Sequence, residues 1–303
     1  MLDVRKMTLL HELARLGTIA AVAQAQFCTP SAVSQQLAAL EREAGIALLR
    51  RRGRGVVLTP AGADLAERAG AVLALLEEAS AALASARTEL SGELRIGAFP
   101  TAVRTLLPAA LVALGAAHPR LELHVTELDP AQAPAALHAG LLDVALVHEY
   151  DYVPAEPDPG LVTRPLLSEA VYLASAAPLA VPAGAGFNPV QASRALPWIV
   201  GSPGTLCHLM AMRLCQAAGF TPRIRHYADD FAAVLTLVSA GQGVAVVPEL
   251  ALADCPDGVA LAALPATRRT LIACRSGAQA HPAIAACAAA VRSAAAGYPV
   301  LAT

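Results

Sequence analysis

The stretch Thr29-Pro-Ser-Ala-Val-Ser-Gln-Gln-Leu-Ala-Ala-Leu-Glu41 predicts a helix with an apolar back and a small polar surface at its start. Thr29 is a favourable N-cap because its hydroxyl can accept from a free backbone N–H, and Pro30 falls where a missing N–H costs nothing. Apolar residues recur along one side at helical spacing, whereas Ser31, Ser34 and Gln35 lie on the other. Alone, this pattern fits an amphipathic surface helix as well as a helix that enters a DNA major groove.

The residues before this stretch predict two more helices. A leucine stripe ending at Gly17 predicts the first, and Thr18 can cap a second over Ile19 to Ala25. Phe27 and Cys28 then fill a tight turn. Two short helices joined by about three residues form a helix-turn-helix unit, which favours the DNA-reading interpretation.

The residues after the stretch predict a hairpin, or wing. Residues 46–49 are typical of a strand, residues 50–55 (Arg-Arg-Arg-Gly-Arg-Gly) of an arginine-rich tip, and residues 56–58 of a returning strand. A charge run is often only a solvated surface. Placed just after a helix-turn-helix, these arginines are better explained as contacts to phosphates or to a minor groove.

The charge distribution points the same way. Residues 1–60 carry eight basic and four acidic side chains, an excess of four positive charges, in a chain whose formal net charge is −2. The positive balance is therefore local to the N-terminal module. Such an excess predicts salt-sensitive binding to DNA over a limited footprint.

A long helix is predicted from Pro60 to Leu90, about 45 Å at 1.5 Å per residue. Its apolar residues alternate by four and three positions, which is the heptad pattern of a paired helix. Packing of this helix on its own domain is the alternative, but the pattern favours a dimer that reads a two-fold site. The heptad positions are Leu65, Ala69, Val72, Leu76, Ala79, Leu83, Ala86 and Leu90.

Beyond a hinge at Ser91-Gly92, predicted strands alternate with predicted helices, which indicates a parallel sheet covered by helices. With 303 residues, 56% of them hydrophobic, the chain suits two or three domains. It lacks a long apolar run and a secretory segment, so we expect a cytoplasmic protein without a membrane partner. The six cysteines form no C-x-x-C pair, so we expect no zinc site, no other metal and no cofactor.

The whole chain resembles the LysR-type transcriptional regulators. Five landmarks carry the resemblance, in order: residues 29–41, the wing ending in Leu58-Thr-Pro-Ala-Gly62, the heptad helix, Gly92-Glu-Leu-Arg-Ile-Gly97 and Ala240-Gly-Gln-Gly-Val-Ala-Val-Val-Pro248. The resemblance implies a fold of mixed α/β class: a winged helix-turn-helix, a linker helix, and a two-lobed α/β effector-binding domain like the periplasmic binding proteins.

The resemblance also implies domain boundaries. The DNA-binding domain is expected over residues 1–59, the linker dimerisation helix and hinge over 60–91, and the effector-binding domain over 92–303. Within the last, lobe I is expected over 93–163 and 267–303, and lobe II over 164–266.

DNA contacts are carried over onto the start of the recognition helix and onto the wing. The family commonly has glutamine and arginine at the positions of Pro30 and Gln35. Pro30 offers only apolar contact, for instance to a thymine methyl group, and Gln35 favours adenine. The predicted contacts are Thr29, Pro30, Ser31, Ser34, Gln35, Arg52 and Arg54.

An effector site is expected between the lobes, beyond the carboxyl ends of the strands. Ser202, Thr205 and Asp229 fit local capping as well as ligand contact. Together with Asp229, Glu149 and Asp151 are expected to make the cleft mouth acidic, which favours a zwitterionic or cationic group on the ligand. The predicted effector residues are Pro100, Thr101, Ala102, Glu127, His148, Ser202, Thr205 and Asp229, with Glu127 and His148 placed just after strands.

The expected partners are double-stranded DNA, a small organic acid or amino acid, a second copy or tetramer of this chain, and RNA polymerase. One alternative is a redox-sensing regulator that uses Cys207 and Cys215, which are one position out of register with the reactive pair of peroxide-sensing members. The other is an enzyme or solute-binding protein. Because G-x-S-x-G, H-E-x-x-H and Walker motifs are absent from the sequence, we expect no catalytic residues.

Overall fold

The computed structural model describes residues 1–53, 55–86, 89–155, 157–179 and 188–298, with Asp254 described by its backbone alone. The N-terminal module consists of three helices followed by a hairpin. Its elements are α1 (Val4–Leu16), α2 (Ile19–Ala25), α3 (Pro30–Ala44), β1 (Leu49–Arg52) and β2 (Gly55–Leu58).

Local capping places the three helices where the sequence predicts them. The hydroxyl of Thr18 accepts from the Ala21 N–H, and that of Thr29 accepts from the Ala32 N–H at 3.2 Å. Gly17 and Gly45 end α1 and α3 with φ of 75° and 68°, a left-handed conformation that glycine adopts without a steric penalty. The helices enclose a small core of fully buried side chains: Leu10, Leu13, Val22, Val33, Leu37 and Leu40.

The wing differs from its prediction. The first strand spans Leu49–Arg52 rather than residues 46–49, so three arginines lie in the strand and not at the tip. The reason is that the carboxylate of Glu41 accepts the N–H groups of Leu48 and Leu49, each at 2.9 Å, and ties the preceding residues to α3. Predicted contact residue Arg54 lies outside the described residues.

The linker helix α4 spans Pro60–Ser85, so it ends five residues before the predicted Leu90. The next element, β3, begins at Gly92, which has a positive φ of 99°. The heptad positions divide into two groups: Ala69 is buried against the N-terminal module, whereas Leu76 and Leu83 are 47% and 74% exposed. Packing on its own domain therefore accounts for the first half of the heptad pattern.

The C-terminal domain alternates strands and helices. They are β3 (Gly92–Ala98), α5 (Pro100–Thr105), α6 (Leu107–Ala117), β4 (Leu121–Glu127), α7 (Ala133–His138), β5 (Val144–Tyr150), β6 (Leu161–Ser175), α8 (Pro189–Ala192), β7 (Pro197–Val200), α9 (Leu206–Ala217), β8 (Arg223–Tyr227), α10 (Phe231–Ser239), β9 (Ala245–Pro248), β10 (Ala260–Arg275) and α11 (Pro282–Ala296). Short 3₁₀ turns lie at Pro130–Gln132, Glu249–Asp254 and Ala278–Ala280.

The predicted parallel sheet is only partly correct. In the described residues, six strands form one sheet in the order β4-β3-β5-β10-β6-β9, in which only the pairs of β3 are parallel. β7 and β8 form a separate two-stranded sheet, and this pair is also parallel. β10 runs antiparallel to β5 and β6, and β6 runs antiparallel to β9. The difference arises because β6 and β10, of 15 and 16 residues, each pass through both halves of the domain in opposite directions.

These two strands form the connection between the lobes. One half packs its core between the sheet and helices α6 and α11, and the other packs around Trp198 with α9. The pairing register of β10 shifts between Ala263 and Thr267, around Pro265, which has no N–H to contribute to a ladder. Both β6 and β10 pass from one expected lobe into the other. The predicted domain boundaries stay a prediction.

The linker helix also contacts lobe I directly. Nε of Arg275, at the end of β10, lies 2.6 Å from Oε1 of Glu77 on α4. Arg275 also donates to the carbonyls of Leu137 and Leu142. Gly277, with φ of 89°, lies directly against the carbonyl of Ala74. These contacts border an open pocket of about 350 Å³ between α1, α4 and lobe I.

Candidate functional site

The start of α3 presents the polar surface that the sequence predicts. Val33, Leu37 and Leu40 face the core, which leaves the opposite side of the helix in solvent. Ser34 donates its hydroxyl proton to the Pro30 carbonyl at 2.9 Å, so its oxygen still can accept. The predicted contact residues Thr29, Pro30, Ser31, Ser34 and Gln35 are all exposed.

The arginines of the wing form a second exposed surface of the module. Arg50, Arg51 and Arg52 are exposed on β1 and pair in register with residues 55–57 of β2. Because side chains alternate along a strand, Arg50 and Arg52 share one face and Arg51 takes the other. The wing thus carries exposed cations on both faces of its first strand, which suits contacts to phosphates.

The second site lies where the long strands cross between the lobes. His148 and Tyr150 of β5 stand opposite Thr270 and Arg268 of β10. His148 therefore lies inside its strand and is buried, contrary to the prediction that it follows the strand. The reason is the pairing with β10, which extends β5 as far as Tyr150.

Arg268 is the charged centre of this buried group, and the sequence did not predict it. Its Nε donates to Oε1 of Glu169 at 2.7 Å, and its Nη2 donates to the Thr101 hydroxyl at 3.2 Å. The guanidinium carbon lies 4.9 Å from the Phe99 ring centroid. Glu169 also accepts from the Leu250 N–H at 2.6 Å, so both charges are fully enclosed. Arg268 and Arg269 point to opposite faces of β10, and the sequence did not show which of the two faces the cleft.

Three polar atoms on this face have no hydrogen-bond partner among the described residues. They are Nδ1 of His148, Nη1 of Arg268 and Oγ1 of Thr270. Burial, with the nearby charge of Arg268, holds the pKa of His148 well below its usual range, so the imidazole is neutral at pH 7. Buried polar atoms are nearly always paired, and a cluster of unpaired atoms is therefore typical of a site that a ligand or water occupies.

Lobe I supplies the remaining wall. Phe99 packs edge-on against His148, with ring centroids 4.8 Å apart. Thr101 and Ala102 are buried at the start of α5, and Pro100 is half-buried. The structure therefore brings Thr101 and His148 of the predicted set into one cluster around Arg268.

The effector-binding residues predicted in lobe II form hydrogen bonds mainly with one another. Asp229 accepts from the backbone N–H and the hydroxyl of Ser202, each at 2.7 Å. Thr205 donates to the Ser202 carbonyl and accepts from the His208 N–H as the N-cap of α9. Local capping thus engages Ser202, Thr205 and Asp229 in the structure.

Several side-chain contacts join the lobes, among them Nη1 of Arg213, which donates to the Tyr152 carbonyl at 2.6 Å. The Tyr150 hydroxyl lies 3.5 Å from the Cys207 sulfur, and Nη1 of Arg104 lies 3.4 Å from Asp230. Asp129 on lobe I is close enough to Asp229 for the charge of Asp229 to change its pKa. Burial raises the pKa of Asp129, and the Asp229 carboxylate adds to the rise.

The acidic cleft mouth is not as predicted. Glu149 and Asp151 both bind Arg269, on the face of the sheet opposite to Arg268. Both carboxylates share this one guanidinium on the face away from the cleft, which leaves the group with one net negative charge there. Glu127 is the exposed last residue of β4 rather than the residue after it, because β3 pairs with it at Ala98. The acid that approaches Asp229 is Asp129 instead.

The two cysteines of the redox alternative are poorly placed for a disulfide. Cys207 and Cys215 lie on the continuous helix α9, where eight residues span about 12 Å. Burial raises the pKa of both thiols, that of Cys215 to about 12. Thiolate formation is therefore disfavoured at both positions.

One group of possible metal ligands occurs in the described residues. Ligand atoms of Glu93, Glu122 and His124 lie within 4.8 Å of one another on β3 and β4. All three residues are exposed, and His124 already lies 3.4 Å from Glu122. Exposed groups of this kind are common on protein surfaces without a metal.

Two family models match this chain, one over the DNA-binding module and one over the C-terminal domain that holds the buried site. Residues 4–63 match the bacterial regulatory helix-turn-helix protein, lysR family, and residues 87–296 match the LysR substrate binding domain. The chain belongs to the LysR family. It is accordingly a DNA-binding transcriptional regulator with an effector-binding domain, in a family of regulators rather than enzymes.

Individual LysR-family relatives agree with this assignment. The chain is 34% identical over 225 residues to a "Probable hydrogen peroxide-inducible genes activator" of Mycobacterium avium, covering 73% of this chain and 70% of the relative. It resembles the Corynebacterium glutamicum OxyR C206 mutant with a TM-score of 0.57 and 27% identity, covering 97% and 92% of the two chains.

A structure of the LysR-family regulator CbnR, in complex with its target DNA, shares the fold. Its TM-score is 0.53 at 24% identity, covering 97% of this chain and 100% of that one. In the described part of this chain, no helix has the length and apolar character needed to span a membrane.

Proposed function

We propose that this regulator reads DNA through the exposed start of α3 and holds phosphates through the wing. The observation that supports this most directly is the division of α3 between a buried apolar side and an exposed side with short polar residues. The proposed reading residues are Ser31, Ser34 and Gln35, with Thr29 and Pro30 at the helix start. Arg52 supplies a phosphate contact, and Arg54 is proposed on sequence alone.

Gln35→Ala is expected to weaken binding to a duplex selected by the wild-type protein by about 1–3 kcal/mol, because a glutamine amide pairs with adenine through two hydrogen bonds. It should also abolish the preference for adenine at one position. Fluorescence anisotropy on base-substituted duplexes measures both effects. Gln36→Ala, a neighbouring exposed amide about 100° round the helix, is the matched control. Equal effects of the two variants would contradict this reading.

Self-association through the second half of α4 is part of the proposal. Leu75, Leu76 and Leu83 are exposed there, which is unfavourable for a lone helix in water. A two-fold dimer would place two copies of α3 in successive major grooves. Light scattering of the full chain tests the proposal, and a monomer at micromolar concentration would contradict it. Tetramers and contacts with RNA polymerase stay predictions.

The effector is proposed to bind between the lobes, against the unpaired atoms of His148, Arg268 and Thr270. Nη1 of Arg268 has no partner among the described residues and suits an acceptor such as a carboxylate. The two carboxylates of Asp129 and Asp229 suit an ammonium group. Small organic acids and amino acids are therefore the proposed class. Pro100, Thr101 and Ala102 line the lobe I side, and Ser202 and Thr205 belong to the facing edge.

Thr270→Val tests this location. In ligand-free protein the free energy of unfolding is expected to rise by about 1 kcal/mol, because the variant removes a buried hydroxyl that has no partner. Thermal-shift hits from a panel of small acids and amino acids should be weakened in the same variant. A hit that Thr270→Val leaves unchanged would place the effector elsewhere.

The proposed coupling uses β10, which carries Arg268 and Thr270 in the cleft and Arg275 against α4. Seven residues along a strand connect the two sites over about 23 Å. A ligand that changes the angle between the lobes would move this strand and so the linker helix, which alters the spacing of the paired DNA modules. An unchanged DNA bend at saturating effector would contradict the coupling.

Peroxide sensing is the second candidate, because a curated relative is named for peroxide-inducible genes and Cys207 faces the cleft. The geometry of α9 argues against a Cys207–Cys215 disulfide. Peptide mapping of peroxide-treated protein under non-reducing conditions should show no such crosslink. Its appearance at stoichiometric yield would move this candidate to first place.

A further inference from the structure

Phe27 has an unusual backbone conformation in the turn between α2 and α3. Its φ is +50°, and it is the only residue other than glycine with a positive φ in the described part of the chain. The residue is 74% exposed. The turn itself is well ordered by hydrogen bonds, since the Cys28 N–H donates to the Ala23 carbonyl at 2.9 Å.

Neither property of Phe27 helps the module to fold. The left-handed region is unfavourable for bulky residues, whereas glycine and asparagine enter it readily. An exposed ring also buries little apolar surface. Asparagine or glycine would therefore serve this turn better, and a bulky residue kept in a strained conformation is typical of a functional position.

The position of Phe27 indicates what it contacts. Thr29, the N-cap of α3, follows two residues later, and the exposed apolar Pro30 comes next. The turn thus continues the surface that α3 presents to DNA. The apolar group that DNA offers in the major groove is the C5-methyl of thymine, for which phenylalanine is a suitable partner.

We propose that Phe27 is a specificity residue that contacts a thymine methyl group at the edge of the half-site, next to the bases reached by α3. The inference rests on the proposed reading of DNA by α3. It adds an apolar contact, which carries no charge and so leaves the number of phosphate contacts unchanged.

The test uses a duplex selected from a random pool by the full-length wild-type protein. Each thymine is replaced in turn by deoxyuridine, which removes only the methyl group. At one position of each half-site, wild-type affinity should fall about fourfold, the equivalent of one buried methyl-sized group. Phe27→Asn should bind the thymine and deoxyuridine duplexes equally, with the salt dependence of wild type.

Cys28→Ser is the matched control, because Cys28 is also exposed in the turn but has no positive φ. It should keep the thymine preference. Phe27→Asn should be at least as resistant to urea as wild type, since asparagine tolerates the turn. A less stable variant with an unchanged thymine preference would show that Phe27 is structural and overturn the proposal.

The Gln35 and Phe27 variants distinguish DNA reading by α3 from the role of Phe27. If Gln35→Ala leaves DNA affinity and base preference unchanged, α3 does not read the duplex and the proposed function fails. If Gln35→Ala weakens binding while Phe27→Asn retains the thymine preference at every position, only the assignment of Phe27 fails.

Discussion

Arg268→Met is expected to lower the free energy of unfolding by about 3–5 kcal/mol, because it leaves the Glu169 carboxylate buried without its positive partner. Methionine keeps the unbranched apolar part of the side chain, to about the position of Nε, but cannot donate to Glu169 or Thr101. Urea unfolding at pH 7, followed by far-UV circular dichroism and by the fluorescence of the single tryptophan, Trp198, measures the loss.

The double variant Arg268→Met with Glu169→Gln separates charge from packing. Glutamine removes the buried negative charge and still accepts from the Leu250 N–H. We therefore expect the double variant to recover most of the stability, with non-additive effects of the two substitutions. A loss below about 1 kcal/mol for Arg268→Met alone would show that Glu169 is not enclosed as the structure describes.

Gly277→Ala is expected to destabilise the protein by about 2–4 kcal/mol. At this position φ is 89°, and an added Cβ would collide with the Ala74 carbonyl oxygen of α4. The linker helix and lobe I must then move apart, which also disturbs the Arg275–Glu77 ion pair. Urea unfolding measures the loss, and hydrogen exchange along α4 should increase near Ala74.

Gly258→Ala provides the matched control for backbone strain. Its φ of 82° is similar, but an added Cβ meets no atom within 4 Å. It should cost about 1 kcal/mol and leave exchange along α4 unchanged. Equal effects of the two substitutions would mean that lobe I does not rest on the linker helix, and the coupling through β10 would lose its basis.

The sequence by itself determined the three helices of the N-terminal module. The caps at Thr18 and Thr29, the proline at the first turn of α3 and the glycines that end α1 and α3 act through hydrogen bonds within four residues of each other. Local interactions of this kind are readable from a single chain, so the three helices lie where they were predicted, and the residues predicted to contact DNA are exposed at the start of α3.

Only the tertiary structure decided the organisation of the cleft. Arg268 meets Glu169 across 99 positions, and the register of β10 places Arg268, not Arg269, on the buried face. Shifting a strand by one residue moves every side chain to the other face, so no local pattern distinguishes the two arginines. For the same reason, no local pattern shows that Glu149 and Asp151 pair with Arg269 on the face away from the cleft. Whether α4 packs on its own module or leaves leucines exposed also depends on which distant surfaces meet it, because burial is a property of the folded chain.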